Sequence, residues 1–336
     1  MRTEVRKFGH VQPKSAVEAV SLLTKFGGRA RIISGGSDLL SQVKNNIATH
    51  IPDYVVDITG LGLNYIRYDE TDGLRIGATT NISDVALDPT VNQLYTVLSE
   101  AALSVATPQI RNTGTVAGDL LQEVWCWYVR NNYTCWRNGG DICYGAIGDN
   151  RVYHSIFGGR LCYAQHAGDM APALFALDAD VKLVGPSGEK TISIDQFMPG
   201  INIVDGHVKE NVAHYNEILT EIHVPVPGSG MRSAYYKVRP RKTWDFGLAS
   251  AAVVAKFDGN TISRARIVLG SVDVKPHRAI SAEQFLVGGQ LTEDNIGQTA
   301  EKALEGAAPL AFGTGNAFRV ELAKGAVKKA LRQLIG

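Results

Sequence analysis

Four cysteines fall between Cys126 and Cys162, and the rest of the 336 residues contain none. Cysteines placed by chance would not share so short a window, so the set reads as one site. The pattern is Cys126-x8-Cys135-x7-Cys143-x18-Cys162. Thiolates are soft ligands that hold zinc or iron–sulfur clusters. The spacing is neither the CxxC pairing of common zinc modules nor the short run of bacterial ferredoxins. The residues alone leave an iron–sulfur cluster, a zinc ion, disulfides and free thiols open. Disulfides mostly staple small secreted domains, which this chain does not resemble. Trp125, Trp127, Tyr128, Tyr133, Trp136 and Tyr144 crowd the same window. They serve either as local core or as a shield that excludes water from a cluster. His154 and His166 lie nearby, and four thiolates would already complete a metal site without them.

Two glycine-rich loops have a second kind of chemistry. One is Ser34-Gly35-Gly36-Ser37-Asp38, between an apolar strand and a helical pattern. The other runs from Asn112 to Asp119 as NTGTVAGD. Small residues with free N–H groups at such turns let backbone approach a phosphate, and the hydroxyls of Ser34, Ser37, Thr113 and Thr115 add donors. Neither loop is a GxGxxG or Walker sequence, so Rossmann and P-loop architectures are not indicated.

The elements that must carry these loops can be read from pattern. Ser15 and Glu18 form a capping box that starts an amphipathic helix ending at Gly27–Gly28. Strands are predicted at Arg31–Ile33 and Tyr54–Ile58, with a short helix from Leu39 between them, which makes a small parallel βαβ unit. Tyr65–Tyr68 and Leu74–Gly77 flank a hairpin turn. A single helix is predicted over Asn92–Ala106 with Asn92 as its N-cap. Val181–Val184 and Lys190–Ile194 form a second hairpin, and Ile218–Val224 a strand ending at Pro225. After the Pro/Gly-rich stretch near residues 225–230, three antiparallel strands are predicted at Ala234–Val238, Ser250–Phe257 and Ile262–Gly270. Three helical patterns follow.

Charged residues make up 20% and the AVILMFWYC set 45%, as in a globular protein with sizeable cores. A net charge of +1 favours neither nucleic acid nor an anionic membrane as partner. The N-terminal stretch mixes charges of both signs and has no apolar run. No membrane insertion and a cytoplasmic location are therefore expected.

The loops, the cysteine window and several further motifs together resemble the FAD-binding subunit of the molybdenum hydroxylases. That family includes xanthine dehydrogenase, carbon monoxide dehydrogenase, bacterial aldehyde oxidoreductases and 4-hydroxybenzoyl-CoA reductase. The motifs are ISGGSDLL at 33–40, DGLRIGATT at 72–80, QIRNTGTVAGDLLQ at 109–122, HAGDMAPALFALDADV at 166–181 and YYKVRPRKTWDFGLASAA at 235–252. The resemblance implies an α+β vanillyl-alcohol-oxidase-type FAD-binding fold. Its two α+β subdomains would span residues 1–60 and 61–228, and a C-terminal α+β domain residues 229–336. FAD would be held by Ile33, Ser34, Gly35, Gly36, Ser37 and Asp38 of the first loop, and by Thr115, Gly118 and Asp119 of the second. Asp169, Leu219 and Lys237 are implied as further contacts. The family often has Gly-Gly-Asn where this chain has Ala117-Gly118-Asp119, which puts a carboxylate beside the expected diphosphate.

An insertion at about 123–165 resembles the subset that binds an extra [4Fe–4S] cluster, here through Cys126, Cys135, Cys143 and Cys162. The implied role is electron transfer through FAD between an external acceptor or donor and the [2Fe–2S] clusters of a small partner subunit. Molybdopterin would sit in a large partner subunit, the whole forming a heterotrimer or its dimer. Four cysteines suffice for one cubane and leave none for [2Fe–2S] centres. Two alternatives are a stand-alone flavoprotein oxidase of the same fold, which lacks support from any substrate-pocket motif, and a zinc-stapled, non-redox binding module.

Overall fold

Local chemistry starts the first helix where the sequence indicates. Ser15 Oγ accepts from the Glu18 N–H at 3.1 Å, and Glu18 reaches back to the Lys14 N–H at 2.7 Å. The helix Ala16–Phe26 buries Ala19, Val20 and Leu23 and stops at Gly27, whose φ of 61° favours glycine. A computed structural model describes residues 7–47 and 51–335, so the first residues of the charge-mixed N-terminal stretch lie outside the described residues.

The helix packs on a three-stranded parallel sheet of β1 (Gly9–Val11), β2 (Ala30–Ile33) and β3 (Tyr54–Asp57), ordered β1-β3-β2. The predicted βαβ unit is therefore present, with β1 as an extra edge strand. The second sheet is antiparallel. It contains β4 (Ile66–Asp69), β5 (Gly73–Gly77), β6 (Asp180–Gly185) and β7 (Gly188–Ser193), with a small separate hairpin, β8 (Asn202–Val204) and β9 (His207–Lys209), emerging before β10 (Ile218–Val224). The order is β4-β5-β10-β6-β7, so β10 is central and pairs with both β5 and β6. Its buried face joins the helices 82–87, 96–104 and 170–176 in the largest core.

The third sheet, β11 (Met231–Val238), β12 (Ala249–Asp258), β13 (Thr261–Gly270) and β14 (His277–Arg278), is antiparallel in sequence order. The helices Ile280–Leu286, Glu293–Lys302 and Phe318–Arg332 pack on it around a separate core rich in alanine. Among the described residues no helix is long and apolar enough to cross a membrane.

One predicted element is corrected. The helix expected over Asn92–Ala106 is two helices, Pro89–Leu94 and Thr96–Ser104. Asp88, not Asn92, is the N-cap of the first: its carboxylate accepts from the Val91 N–H and Pro89 follows it at the start of the helix. Tyr95 breaks the run at φ −130° because its ring is fully buried and its hydroxyl reaches Pro225 O at 3.1 Å.

Candidate functional site

The two glycine loops meet. A Cβ built on Gly35 would lie 2.0 Å from Thr113 O and 3.0 Å from Gly114 Cα, so their backbones touch only because residue 35 has no side chain. The second loop is fixed from below: Val116 N–H donates to Thr80 O at 3.0 Å and Ala117 N–H to Ala78 O at 3.2 Å. Thr115 Oγ1 accepts from the Gly118 N–H at 3.3 Å and so shapes the turn. Between the loops opens a cleft of about 490 Å³, a size typical of small-molecule sites. A third wall comes from the stretch Asp205–Leu219, which includes β9. Ser34 Oγ is buried at this cleft with no hydrogen-bond partner among the described residues. An orphaned hydroxyl of this kind suits a polar ligand.

The cysteines converge a short distance away. Cys126, Cys135 and Cys143 are the N-cap residues of three short helical turns at Trp127–Arg130, Trp136–Asn138 and Tyr144–Ala146. Cys162 closes the set, and all four line one small cavity with Tyr128, Trp136, Arg137 and Tyr144. None is disulfide-bonded. Cys126, Cys135 and Cys162 are buried. Burial pushes the Cys126 thiol up to about 12 and raises that of Cys162, which Arg137 partly offsets. Such thiols are inert unless a metal cation draws off the proton.

Two of the sulfurs have polar neighbours. Arg137 Nε donates to Cys162 Sγ at 3.2 Å, the Ala164 N–H does so at 3.4 Å, and His154 Nε2 lies 3.4 Å from Cys126 Sγ. Burial lowers the His154 pKa to about 4, so the ring is neutral. Among the described residues no three His, Cys, Asp or Glu side chains are gathered tightly enough to hold a metal ion.

The family model described as the FAD binding domain in molybdopterin dehydrogenase matches residues 6–227. The chain belongs to this family. It is an FAD-binding subunit of the molybdenum hydroxylases and an electron-transferring oxidoreductase component. The model of the carbon monoxide dehydrogenase flavoprotein C-terminal domain matches residues 234–334. The chain is 32% identical to the aldehyde oxidoreductase FAD-binding subunit PaoB of Escherichia coli, with 98% of each chain covered. It is 31% identical to the carbon monoxide dehydrogenase medium chain of Hydrogenophaga pseudoflava, over 97% of this chain and 96% of that one. It also resembles a chain of the solved H. pseudoflava carbon monoxide dehydrogenase lacking the Mo-pyranopterin moiety. There the TM-score is 0.77 at 28% identity, covering 99% of both chains. These matches carry the α+β FAD-binding fold and its α+β C-terminal domain.

Within this FAD-binding subunit, Ile33 to Asp38, Thr115, Gly118 and Leu219 all line the cleft. The Asp38 carboxylate at the cleft is paired: it accepts from Arg130 Nη1 at 2.8 Å, the Glu123 N–H at 2.8 Å and Gln42 Nε2 at 2.9 Å. Asp119, Asp169 and Lys237, expected as cofactor contacts, stand outside the cleft lining. They form a buried cluster behind the second loop, because each finds a protein partner there. Lys237 Nζ donates to Asp169 Oδ2 at 2.6 Å and Tyr235 Oη to Asp169 Oδ1 at 3.1 Å. Asp119 accepts from the Met170 N–H at 2.9 Å and Gln122 Nε2 at 3.1 Å. Burial, reinforced by the Asp169 charge, pushes its pKa up to about 7.

Several site residues carried no sequence signal. Arg31 lines the cleft with its guanidinium held on Gly28 O and Ala30 O, both at 2.9 Å. Arg137 lines both the cleft and the cysteine cavity. The third wall was not anticipated, although Asp205-Gly206 is a hairpin-turn dipeptide, and both residues have positive φ. The insertion is also clamped from the far end of the chain. Asn316 Nδ2 donates to His154 O at 3.1 Å and Ser155 O at 3.0 Å. Arg319, fully buried, donates to His154 O, Gln165 Oε1, Leu248 O and Ser271 O.

Proposed function

We propose that this FAD-binding subunit carries, beside its flavin, a [4Fe–4S] cluster on Cys126, Cys135, Cys143 and Cys162. It would work with a large molybdopterin-binding subunit and a small [2Fe–2S] subunit. The observation that supports this most is the convergence of all four cysteines on one shielded cavity that shares Arg137 with the FAD cleft.

When bound, FAD exchanges electron pairs with a diffusible acceptor or donor and single electrons with iron–sulfur centres. The protein's part is to hold and orient. Ser34–Ser37 line the cleft opposite Thr115, Ala117 and Gly118, and the buried, unpartnered Ser34 hydroxyl suits the FAD diphosphate. The Asp119–Asp169–Lys237 cluster acts through position by bracing that turn from behind. Leu219 and Ile33 supply apolar wall. Around the thiols, Tyr128 and Tyr144 exclude water, and the Tyr128 ring stacks on Tyr144 with centroids 5.7 Å apart. Substrate oxidation falls to the large subunit, in keeping with a chain whose two sites are both electron-carrying.

The visible spectrum and the iron content of the purified chain test this reading. Flavin bands with a broad iron–sulfur shoulder, and about four irons per flavin, are expected. Replacing Cys143 with Ser should bleach the shoulder and leave the flavin. A yellow protein without iron, or one holding zinc instead, would refute the cluster.

A further inference from the structure

Arg137 occupies an unusual place. Its side chain is 3% exposed, yet it borders two cavities. On one side Nε donates to Cys162 Sγ at 3.2 Å. On the other, Nη1 donates to Glu123 Oε1 at 2.9 Å and to Val208 O at 3.2 Å, and Nη2 pairs with Glu210 Oε1. Glu123, Val208 and Glu210 all line the flavin cleft. The Glu123 N–H in turn holds Asp38 of the first glycine loop. One guanidinium thus ties a cluster-site sulfur to the wall of the flavin site, and a hydrogen-bonded path runs on to the loop that faces the diphosphate.

We propose that Arg137 is the positioning and charge-setting residue between the two redox sites: it raises the potential of the cluster through Cys162, and Glu123 moderates it from the flavin side. This inference rests on the cluster reading above. The physics is direct. A fixed positive charge in contact with a ligand sulfur favours the cluster state that carries one more electron, and shielding from water strengthens the effect. Outer-shell donors of this kind tune metal centres. A carboxylate paired with the guanidinium works in the opposite sense. The geometry therefore predicts two shifts of opposite sign from two neighbouring residues, which a purely structural role would not produce.

The test is an EPR-monitored redox titration of the holo-complex, with iron and flavin quantified in each variant. Arg137→Gln should shift the one-electron equilibrium of the cluster at least tenfold toward its oxidised form, a fall of about 59 mV. Glu123→Gln should shift it toward the reduced form. Arg137→Lys, which keeps the charge, should lie nearer the wild type than Arg137→Gln does. Arg137→Gln with full iron and an unchanged potential would overturn the inference. If Arg137→Gln fails to retain iron, Glu123→Gln decides: an upward shift supports the proposal, and no shift or a downward one overturns it. Wild-type complex with no iron at these cysteines would refute the cluster reading itself, an outcome distinct from an iron-loaded protein whose potential ignores Arg137.

Discussion

Replacing Gly35 with Ala tests whether the contact between the two loops makes the flavin site. The new methyl would lie 2.0 Å from Thr113 O and 2.8 Å from the Thr113 carbonyl carbon, and the same backbone leads into Gly114. Both obstacles are main chain, so no rotamer change relieves them, and the loops must separate. Forcing an extra methyl into a packed contact costs roughly 1–3 kcal/mol. The free energy of unfolding of a domain is roughly 5–15 kcal/mol, so the variant should remain folded. Separation falls on the cleft itself, because Ser34–Asp38 and Thr115–Gly118 face each other across it. If the folding cost is carried into the binding-competent state, FAD affinity should drop by roughly 5–150-fold.

The assay is titration of deflavinated protein with FAD, followed by quenching of flavin fluorescence, with a urea melt alongside. Gly297→Ala is the control: nothing lies within 4 Å of a Cβ there, and its helix Glu293–Lys302 contributes no residue to the cleft. An FAD dissociation constant within twofold of wild type in Gly35→Ala would refute the claim that close loop contact builds the site.

Two further outcomes follow from buried polar groups. The Asp119 pKa is raised from 3.8 to about 7 by burial and by Asp169. The folded chain thus keeps a proton that the unfolded chain releases, and stability declines as pH rises from about 4 through 7. The decline has a ceiling of roughly 4 kcal/mol. Asp119→Asn should flatten it, seen as urea melts at pH 5 and pH 8 that converge, whereas a slope parallel to wild type would place the titration elsewhere. Arg319→Leu strands several buried carbonyls that Arg319 now satisfies. It should cost more than roughly 3 kcal/mol in a urea melt, and a loss below 1 kcal/mol would contradict the clamp.

Legibility from sequence followed the range of the interaction concerned. Capping at Ser15, the hairpins, β10 and the C-terminal strands are set by neighbours a few residues apart, and their patterns are readable. The glycine loops and the cysteine window were readable because their chemistry demands particular residue types. The break at Tyr95 was not, since it depends on a hydroxyl reaching Pro225, 130 residues away. Arg137 and the Asp205–Leu219 wall were equally hidden: their roles come from tertiary placement, and no residue type announces them. Asp119, Asp169 and Lys237 show the converse. Their motifs are conspicuous, yet in the fold they spend their polar atoms on one another and on backbone behind the second loop.

The clamp from Asn316 and Arg319 gives the subunit a timetable. These side chains grip His154 and Ser155, which lie just ahead of Cys162 and 162 residues earlier than Asn316. At roughly 5–20 residues per second, a ribosome needs about ten to thirty seconds to cover that distance. For nearly all of that interval the four cysteines have been made but their support has not. The segment that frames the cysteine cavity is thus made well before the residues that lock it.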